Sequence, residues 1–291
     1  MRPADIARVR RFARAVTAEV GALDSSFLGR GRPLGAARVL NAIGAGRTEI
    51  AEIRAYLDLD SGLMSRLLRS LEDEGLVATA PHPADARRRI ASVTEAGQRE
   101  FEAYEALSDA RATALLERAP RADALLQAMD RVALVLGRDA ITIVAADPVD
   151  APARVCLAAY YAELAARFPG GFDVARSCDP EAGDMVRPRG AFLLAVADGL
   201  PVGCVGLKGW GGPEAEIKRL WIDPAARGLG LSKRLMHEAE RVARELGIRM
   251  LRLDTNSALP EALMLYRGTG WVEIDRFNDD PYPDHFFEKA L

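Results

Sequence analysis

The stretch with the clearest chemistry is residues 220–232, which read Leu-Trp-Ile-Asp-Pro-Ala-Ala-Arg-Gly-Leu-Gly-Leu-Ser. It begins as an apolar strand, turns at a proline, and enters a glycine-rich arginine loop that opens onto a helix. A tight turn into a helix aims unpaired N–H groups and the positive helix end at one point, which suits a pyrophosphate. Gly228 and Gly230 let the backbone approach such a ligand without an intervening Cβ.

The spacing of this loop separates it from other phosphate-binding loops. It lacks the Gly-Lys-Ser/Thr ending that serves a nucleotide's terminal phosphates and magnesium, and its glycines do not follow the dinucleotide pattern. Residues Arg227 to Ser232 resemble instead the acetyl-CoA loop of the GCN5-related N-acetyltransferase (GNAT) family, Arg/Gln-x-x-Gly-x-Gly/Ala. Arg227 and Gly230 match this motif, and Ser232 replaces its last small residue.

The elements around the loop predict an α/β domain. Apolar residues at helical spacing after the loop predict one buried helix face, formed by Leu231, Leu235, Ala239, Val242 and Leu246. From Ile141 onward we expect a strand, a helix, an irregular stretch, three strands, a helix, a strand, a helix and a strand. Asp198-Gly199 is a hairpin signal between two of these strands.

The GNAT resemblance covers residues 141–291. Outside the loop it includes Asn256, Ala262, Leu265-Tyr266 and Gly270-Trp271. It implies acetyl-CoA as the co-substrate. The residues expected to bind it are Leu220, Trp221, Ile222, Arg227, Gly228, Leu229, Gly230, Leu231, Ser232 and Asn256.

Acetyl transfer to an amine requires a neutral nucleophile, a held oxyanion and a proton for the departing thiolate. The resemblance places the Tyr266 hydroxyl near the thioester sulfur, so we expect Tyr266 to be the acid. Glu216 begins the strand that enters the loop, and strand alternation puts Lys218 on its face and Ile217 with Trp221 on the other. Glu216 is predicted to accept the amine proton, directly or through water; an exposed strand-end charge is the alternative.

The C-terminal run 277–289 is acidic, aromatic and stiffened by prolines, which suits a cationic amine. His285 is a candidate base within it, or else a paired structural histidine. The spacing of its Asp and Asn residues is not that of a calcium loop, so no metal is expected.

The first half of the chain indicates a helix-turn-helix. Thr48 is a predicted N-cap of a helix whose apolar face includes Ile53, and residues 58–60 form the turn. A second helix begins at Ser61. Its expected buried residues are Leu63, Leu67 and Leu71, beside Met64 and Leu68.

The exposed face of the second helix carries Ser65, Arg66 and Arg69, which are suited to phosphates and base edges in a major groove. A β-hairpin follows, and its tip contains Arg87, Arg88 and Arg89. A basic hairpin beside a recognition helix is the shape of a wing that contacts a neighbouring groove, so we expect these arginines to contact phosphate.

Residues 1–137 resemble the MarR family of winged-helix repressors. The matching residues are Leu71-Glu72-x-x-Gly75-Leu76-Val77, Asp85-x-Arg87 and Thr94-Glu95-Ala96-Gly97. Arg54, Asp58 and Leu63 depart from the family pattern. The resemblance implies binding to pseudopalindromic double-stranded DNA as a homodimer, formed by terminal helices that we expect at Ala4–Phe27 and Gln98–Leu136.

Composition agrees with two domains of different character. Residues 1–138 contain 21 Arg and no Lys against 19 acidic residues, whereas residues 139–291 contain 18 basic against 23 acidic residues. No apolar run approaches the ~20 residues of a membrane helix, and the arginine-rich N-terminus lacks a signal core. Three scattered cysteines, Cys156, Cys178 and Cys204, fit packing as small apolar residues in a reducing cytoplasm.

The sequence therefore predicts two domains, at residues 1–138 and 139–291: a mainly-α winged helix-turn-helix with a β-wing, followed by an α/β (α+β) GNAT acyltransferase fold. We expect a cytoplasmic homodimer that binds operator DNA, has no membrane partner, and transfers acetyl from acetyl-CoA directly to a small-molecule or protein amine. The alternative is a transcription regulator whose second domain is catalytically weak or inactive and senses acetyl-CoA or a small effector.

Overall fold

The computed structural model describes residues 2–176 and 184–291, so Cys178 lies outside the described residues. The chain divides into two compact units, Met1–Ala122 and Asp123–Leu291. This division falls before the domain boundary predicted at residues 138 and 139. No helix among the described residues is long and apolar enough to cross a membrane.

The first unit is a set of helices with one hairpin. Its elements are α1 (Pro3–Glu19), α2 (Leu34–Gly44), α3 (Ile50–Tyr56), α4 (Ser61–Asp73), β1 (Val77–His82), β2 (Asp85–Val93) and α5 (Glu95–Glu117). α3 and α4 are the helix-turn-helix, and antiparallel β1 and β2 are the wing. This order confirms the predicted winged helix-turn-helix.

Details of the helix-turn-helix differ from the sequence prediction. Glu49, not Thr48, occupies the N-cap position of α3, and its side chain makes no capping hydrogen bond. The Thr48 carbonyl accepts a hydrogen bond from Ala91 N of the wing. In α4 the buried residues are Met64, Leu68 and Leu71, while Leu63 and Leu67 are only half-buried. Between the helices, Asp58 adopts a left-handed conformation with φ of 51°.

The terminal helices are shorter than predicted. α1 ends at Glu19, just before Gly21 with φ of 62°. The predicted helix Gln98–Leu136 is interrupted: α5 ends at Glu117, and α6 (Ala122–Leu136) begins after Pro120, a residue that cannot continue a helix. Leu134 of α6 packs into the core of the second unit.

The second unit is a mixed sheet flanked by helices. After α6 its elements are β3 (Thr142–Ala146), α7 (Ala151–Arg167), β4 (Ala191–Ala197), β5 (Leu200–Gly209), β6 (Glu214–Ile222), α8 (Leu231–Glu245), β7 (Met250–Thr255), α9 (Pro260–Arg267), β8 (Val272–Ile274) and β9 (His285–Ala290). The strand order is β3-β4-β5-β6-β7-β9-β8. Asp198 and Gly199 form the β4–β5 turn with positive φ at both residues, as a tight hairpin requires.

Strand β9 was not predicted from the sequence. It lies between β7 and β8 and pairs antiparallel with both. The residues before it are polar and rich in proline, which is not typical of a strand, so the short apolar run was not recognised. Phe286 and Phe287 of this run are buried.

Thr94 and Gly97 join α5 to the end of α4, which explains two residues of the MarR-like motif. The Thr94 hydroxyl accepts a hydrogen bond from Gly97 N at 3.0 Å and donates to the Gly75 carbonyl at 2.7 Å. A Cβ atom on Gly97 would lie 1.9 Å from the Leu76 carbonyl oxygen. Only glycine fits at this position.

Gly97→Ala is therefore expected to destabilise the first unit by about 3 kcal/mol, because the overlap is with backbone that cannot rotate away. In unfolding by urea, the circular-dichroism transition of the first unit should move to lower denaturant. Tryptophan fluorescence should be unchanged, since Trp210, Trp221 and Trp271 all lie in the second unit.

The matched control is Gly35→Ala in α2, where the new Cβ would meet only the Leu67 side chain at 3.5 Å. Alanine is favoured over glycine in helices, so this variant should keep or gain about 0.5 kcal/mol. An unchanged transition in Gly97→Ala would contradict the close approach of Gly97 to Leu76.

Candidate functional site

The two central parallel strands separate at their carboxyl ends. β6 pairs with β7 only over residues 214–216 and 250–252, although β6 continues to Ile222 and β7 to Thr255. Open α/β sheets bind ligands at the carboxyl ends of parallel strands. The separation leaves one edge of β6 beyond Glu216 unpaired by β7, so backbone hydrogen-bonding groups there remain for a ligand.

A bulge at Arg219 changes which β6 side chains share a face. Arg219 has φ of 56°, and the register between β5 and β6 shifts at this point. As a result, Ile217 packs in the same core cluster as Leu220, whereas Trp221 packs in another. The predicted alternation, with Ile217 and Trp221 on one face, was therefore wrong, because it allowed no extra residue in the strand.

The glycine-rich loop has the backbone that the sequence predicted. Gly228 and Gly230 have φ of 82° and 75°, and Gly230 is the N-cap of α8. No atom lies within 4 Å of where their Cβ atoms would be. The loop thus presents open backbone at a helix N-terminus, which is favourable for an anion.

A cavity, here called the loop cavity, runs along this loop and the end of β6. The predicted cofactor residues that line it are Leu220, Trp221, Ile222, Arg227, Gly228, Gly230, Leu231 and Ser232. Leu229 is half-buried against the hydrophobic core instead. The structure thus brings most of the predicted cofactor residues to one cavity.

The Arg227 side chain forms a hydrogen bond and an ion pair with other residues of the protein. Its Nε donates to the Ile222 carbonyl at 3.1 Å, and its guanidinium forms an ion pair with Glu163 of α7. Glu163 also accepts from Trp221 Nε1 and from Arg167, each at 3.0 Å. Burial alone would raise the pKa of Glu163, but the hydrogen bonds from Arg227 and Arg167 lower it below the usual value, so this carboxylate is charged.

A second cavity, here called the aromatic cavity, adjoins the first. Both are lined by Tyr160, Leu164, Leu220, Leu259 and Ala262. The aromatic cavity continues past this shared wall toward further aromatic side chains and toward the end of β7. Two ligands placed in the two cavities would therefore meet at the shared wall.

Tyr266 lies on α9 and lines the aromatic cavity. It is 5% exposed and packs against Trp271 and Phe287, with ring centroids 6.0 and 5.7 Å away. Burial, with the nearby Asp254 carboxylate, raises the pKa of the Tyr266 phenol above its usual value. Tyr266 is therefore protonated at neutral pH.

Glu216 takes part in a buried charge cluster. Lys218 Nζ lies 3.0 Å from Glu216 Oε2 and 2.8 Å from Asp254 Oδ2. Burial alone would lower the pKa of Lys218, but the two carboxylates raise it above its usual value. Among the described residues, Lys218 and Asp254 line the aromatic cavity and Glu216 lines neither cavity.

Sequence reasoning missed Lys218 and Asp254 as site residues. A signal was present: Lys218 follows Glu216 at strand spacing, and Asp254 is an acidic residue at the end of a parallel strand. The contact between the two required the three-dimensional pairing of β6 with β7.

The side chains of Asn256 and His285 form hydrogen bonds with other residues of the protein. Asn256 lines the aromatic cavity, not the loop cavity; its amide donates to the Tyr282 carbonyl at 2.6 Å and accepts from Ala258 N at 2.8 Å. His285 Nδ1 lies 2.6 Å from Glu273, and its Nε2 lies 3.2 Å from the Ser257 hydroxyl. His285 thus has the pairing of a structural histidine.

In the first unit, α4 and the wing border a common groove. Of the predicted DNA-contacting residues it is lined by Ser65, Arg69, Arg87, Arg88 and Arg89. Arg66 is exposed on α4 outside this lining.

The wing arginines have protein partners. Asp85 accepts from the Arg87 backbone N at 3.0 Å and from its Nε at 3.2 Å, and these bonds lower the pKa of Asp85. Arg88 pairs with Glu49, and Arg89 donates to the Thr79 hydroxyl. Glu49 and Thr79 both line the groove, so these contacts orient Arg88 and Arg89 toward it, whereas Arg87 pairs within the wing.

Comparison with known protein families finds a different family in each half of the chain. The family model "Acetyltransferase (GNAT) family" matches residues 157–271, and the model "MarR family" matches residues 30–88. The glycine-rich loop and Tyr266 lie within the first match, and the helix-turn-helix and most of the wing lie within the second.

Several individual relatives are acetyltransferases by name. An IAA acetyltransferase of Azospirillum brasilense is 34% identical over 113 residues, which are 37% of this chain and 72% of that protein. An uncharacterized N-acetyltransferase of Schizosaccharomyces pombe is 34% identical over 33% of this chain and 61% of its own length. A GNAT-family acetyltransferase structure from Staphylococcus aureus has 20% identity and a TM-score of 0.46, and covers 52% of this chain and 99% of that one.

A winged-helix region that matches the MarR family model is followed by an acetyltransferase domain. The chain belongs to the GNAT family of acetyltransferases. The fold and the family membership predicted from the sequence are therefore confirmed.

Proposed function

We propose that the protein is an acetyl-CoA-dependent N-acetyltransferase for an amine, joined to a DNA-binding transcriptional regulator, and that it acts in the cytoplasm. The observation that carries the enzymatic part is the pair of adjoining cavities where β6 and β7 separate. One cavity ends on an anion-binding loop, and the other contains a protonated tyrosine.

The residues of the loop cavity fit acetyl-CoA. The N–H groups of Gly228 to Ser232 at the start of α8 would hold the pyrophosphate, with Arg227 turning from Glu163 to the phosphates. The unpaired edge of β6 at Leu220 to Ile222 would bond the pantetheine amides.

The chemistry then needs few groups. Bound acetyl-CoA supplies the thioester that a neutral amine attacks, forming a C–N bond as the C–S bond breaks. A backbone N–H near Leu220 stabilises the developing oxyanion, and Tyr266 gives its proton to the sulfur and regains one from the nitrogen through water. Among the described residues, Glu216 lines neither cavity. Any proton that it takes from the ammonium before the attack would therefore pass through water and not directly.

Gly230→Asp should weaken acetyl-CoA binding about tenfold or more, because a carboxylate at the N-cap repels the pyrophosphate. Isothermal titration of the full-length protein with acetyl-CoA measures this. Gly247→Asp is the matched control: it has the same charge and a similar φ of 78°, in open space at the other end of α8. Equal loss in both variants would argue against the loop as the binding site.

Tyr266→Phe should lower kcat by about 100-fold with little change in acetyl-CoA affinity, since only the proton donor is removed. The rate of CoA thiol release in an amine screen measures it. Tyr160→Phe is the comparison, because this second tyrosine lines both cavities. If Tyr160→Phe is inactive and Tyr266→Phe is active, Tyr266 is not the acid. If the wild-type protein binds acetyl-CoA but acetylates no amine, the second unit is a sensor and not an enzyme.

The first unit supports DNA binding by a homodimer. Arginines border the groove between α4 and the wing, where phosphates and base edges would lie. Within α1, which the structure describes completely, no residue is buried, and apolar Ile6, Val9, Phe12 and Val16 are exposed. A second copy covering this face would produce two recognition helices related by symmetry, which matches a pseudopalindromic operator.

Arg69→Ala should weaken binding to the DNA upstream of the protein's own coding sequence about tenfold, and a lost phosphate contact should reduce the slope of log affinity against log salt by about one. Arg99→Ala removes the same charge from α5, outside the groove, and should change neither. Fluorescence anisotropy at several salt concentrations makes the measurement. Affinity that is independent of salt would contradict the DNA-binding proposal.

A further inference from the structure

The far wall of the aromatic cavity is a cluster of four contacting rings, Tyr161, Phe168, Phe172 and Tyr282. Phe172 stacks on Tyr161 with centroids 5.8 Å apart and lies 4.7 Å from Tyr282. Phe168 meets both Phe172 and Tyr282 at 6.0 Å. None of the four lines the loop cavity, so the cluster faces the part of a second ligand most distant from the cofactor.

The ring cluster is held in place before any ligand binds. The Tyr282 hydroxyl accepts from Asp173 N at 2.9 Å, the Tyr282 carbonyl accepts from Asn256 at 2.6 Å, and the Tyr282 N–H donates to Asp280 at 3.1 Å. A preformed ring wall loses little conformational entropy on binding, which favours a flat aromatic ligand.

Another part of the lining is a buried charge cluster, while the cation Arg219 lies over the Tyr161 ring, 6.0 Å from its centroid. Glu216, Lys218 and Asp254 together carry one net negative charge. Lys218 and Asn278 both donate hydrogen bonds to Asp254 Oδ2, and no described residue donates one to Asp254 Oδ1. Asp254 and Tyr266 line the same cavity, so an ammonium on Oδ1 would share that cavity with the acid.

The cavity volume limits the ligand's size. It is about 100 Å³, compared with the roughly 150 Å³ of an apolar cavity known to hold one benzene ring. A single ring fits this space better than a fused pair. In an amino acid the ammonium and the carboxylate share one carbon, so an ammonium on Asp254 would bring the carboxylate close to Asp254 as well. This repulsion disfavours amino acids, although Arg219 lines the same cavity.

We propose that the acceptor is a primary amine carried on a short chain from one aromatic ring, as in 2-phenylethylamine, with its ammonium on Asp254 and its ring against Phe172 and Tyr282. This rests on the proposed acetyltransferase function. The ammonium loses one proton to solvent before attack, so that one amide, one thiol and one released proton result.

The test compares 2-phenylethylamine with butylamine and L-phenylalanine on the full-length protein. Two measurements are made: calorimetric binding of each amine in the presence of CoA, and kcat/KM from release of the CoA thiol. We expect 2-phenylethylamine to exceed both other compounds at least tenfold in each. Phe172→Leu should reduce its advantage over butylamine about 3- to 10-fold, through KM and not kcat, because an aromatic contact is lost.

Phe277→Leu is the matched control, since this ring packs on Phe286 and lines neither cavity among the described residues. It should leave the advantage unchanged. Acetylation of all amines without an aromatic preference, or preference for L-phenylalanine or a peptide lysine, would overturn the acceptor class while keeping the enzymatic function. Aromatic-selective binding that depends on Phe172, without turnover, would support the ligand class and contradict the enzymatic function.

Discussion

The site depends on one constraint in the sheet: β6 and β7 are hydrogen-bonded at their start and separate after Glu216. Beyond Glu216, the backbone N–H and C=O groups on this edge of β6 are not bonded to β7, so they are available to a ligand. A bulge at Arg219 changes the direction of the side chains where the two strands diverge. The same strand then ends in the glycine-rich loop that begins α8. The proposed backbone and phosphate contacts of the cofactor and the proposed acceptor cavity therefore all follow from the path of β6.

Two charge networks stabilise this divergence. Glu216, Lys218 and Asp254 bridge β6 and β7 at the point where their backbone pairing ends. On the other side, Glu163 of α7 connects Arg227 of the loop with Arg167. Removing one member of the buried cluster of Glu216, Lys218 and Asp254 would leave an uncompensated charge, so this network ties site geometry to the stability of the second unit. The Arg227 side chain is 40% exposed, so its ion pair with Glu163 contributes less to stability.

The sequence was sufficient for most of the order of elements and for the loop, because these are local: glycines with positive φ at 228 and 230, the hairpin at 198 and 199, and helical or strand periodicity. It was insufficient where a long-range contact decides, and at one local signal, a proline break. Strand β9 was missed because its pairing with β7 and β8 is non-local, the break at Pro120 was overlooked within a strong helical pattern, and the faces of β6 were misassigned because alternation cannot reveal the bulge at Arg219. The roles of Lys218 and Asp254 required knowing which strands are neighbours.

The most direct test of the central claim is hydrogen–deuterium exchange of the full-length protein with and without acetyl-CoA. If the free edge of β6 and the loop receive the ligand, protection should increase in residues 217–222 and 227–233 and little elsewhere. Unchanged exchange in both segments at saturating acetyl-CoA, or protection confined to the first unit, would contradict the account.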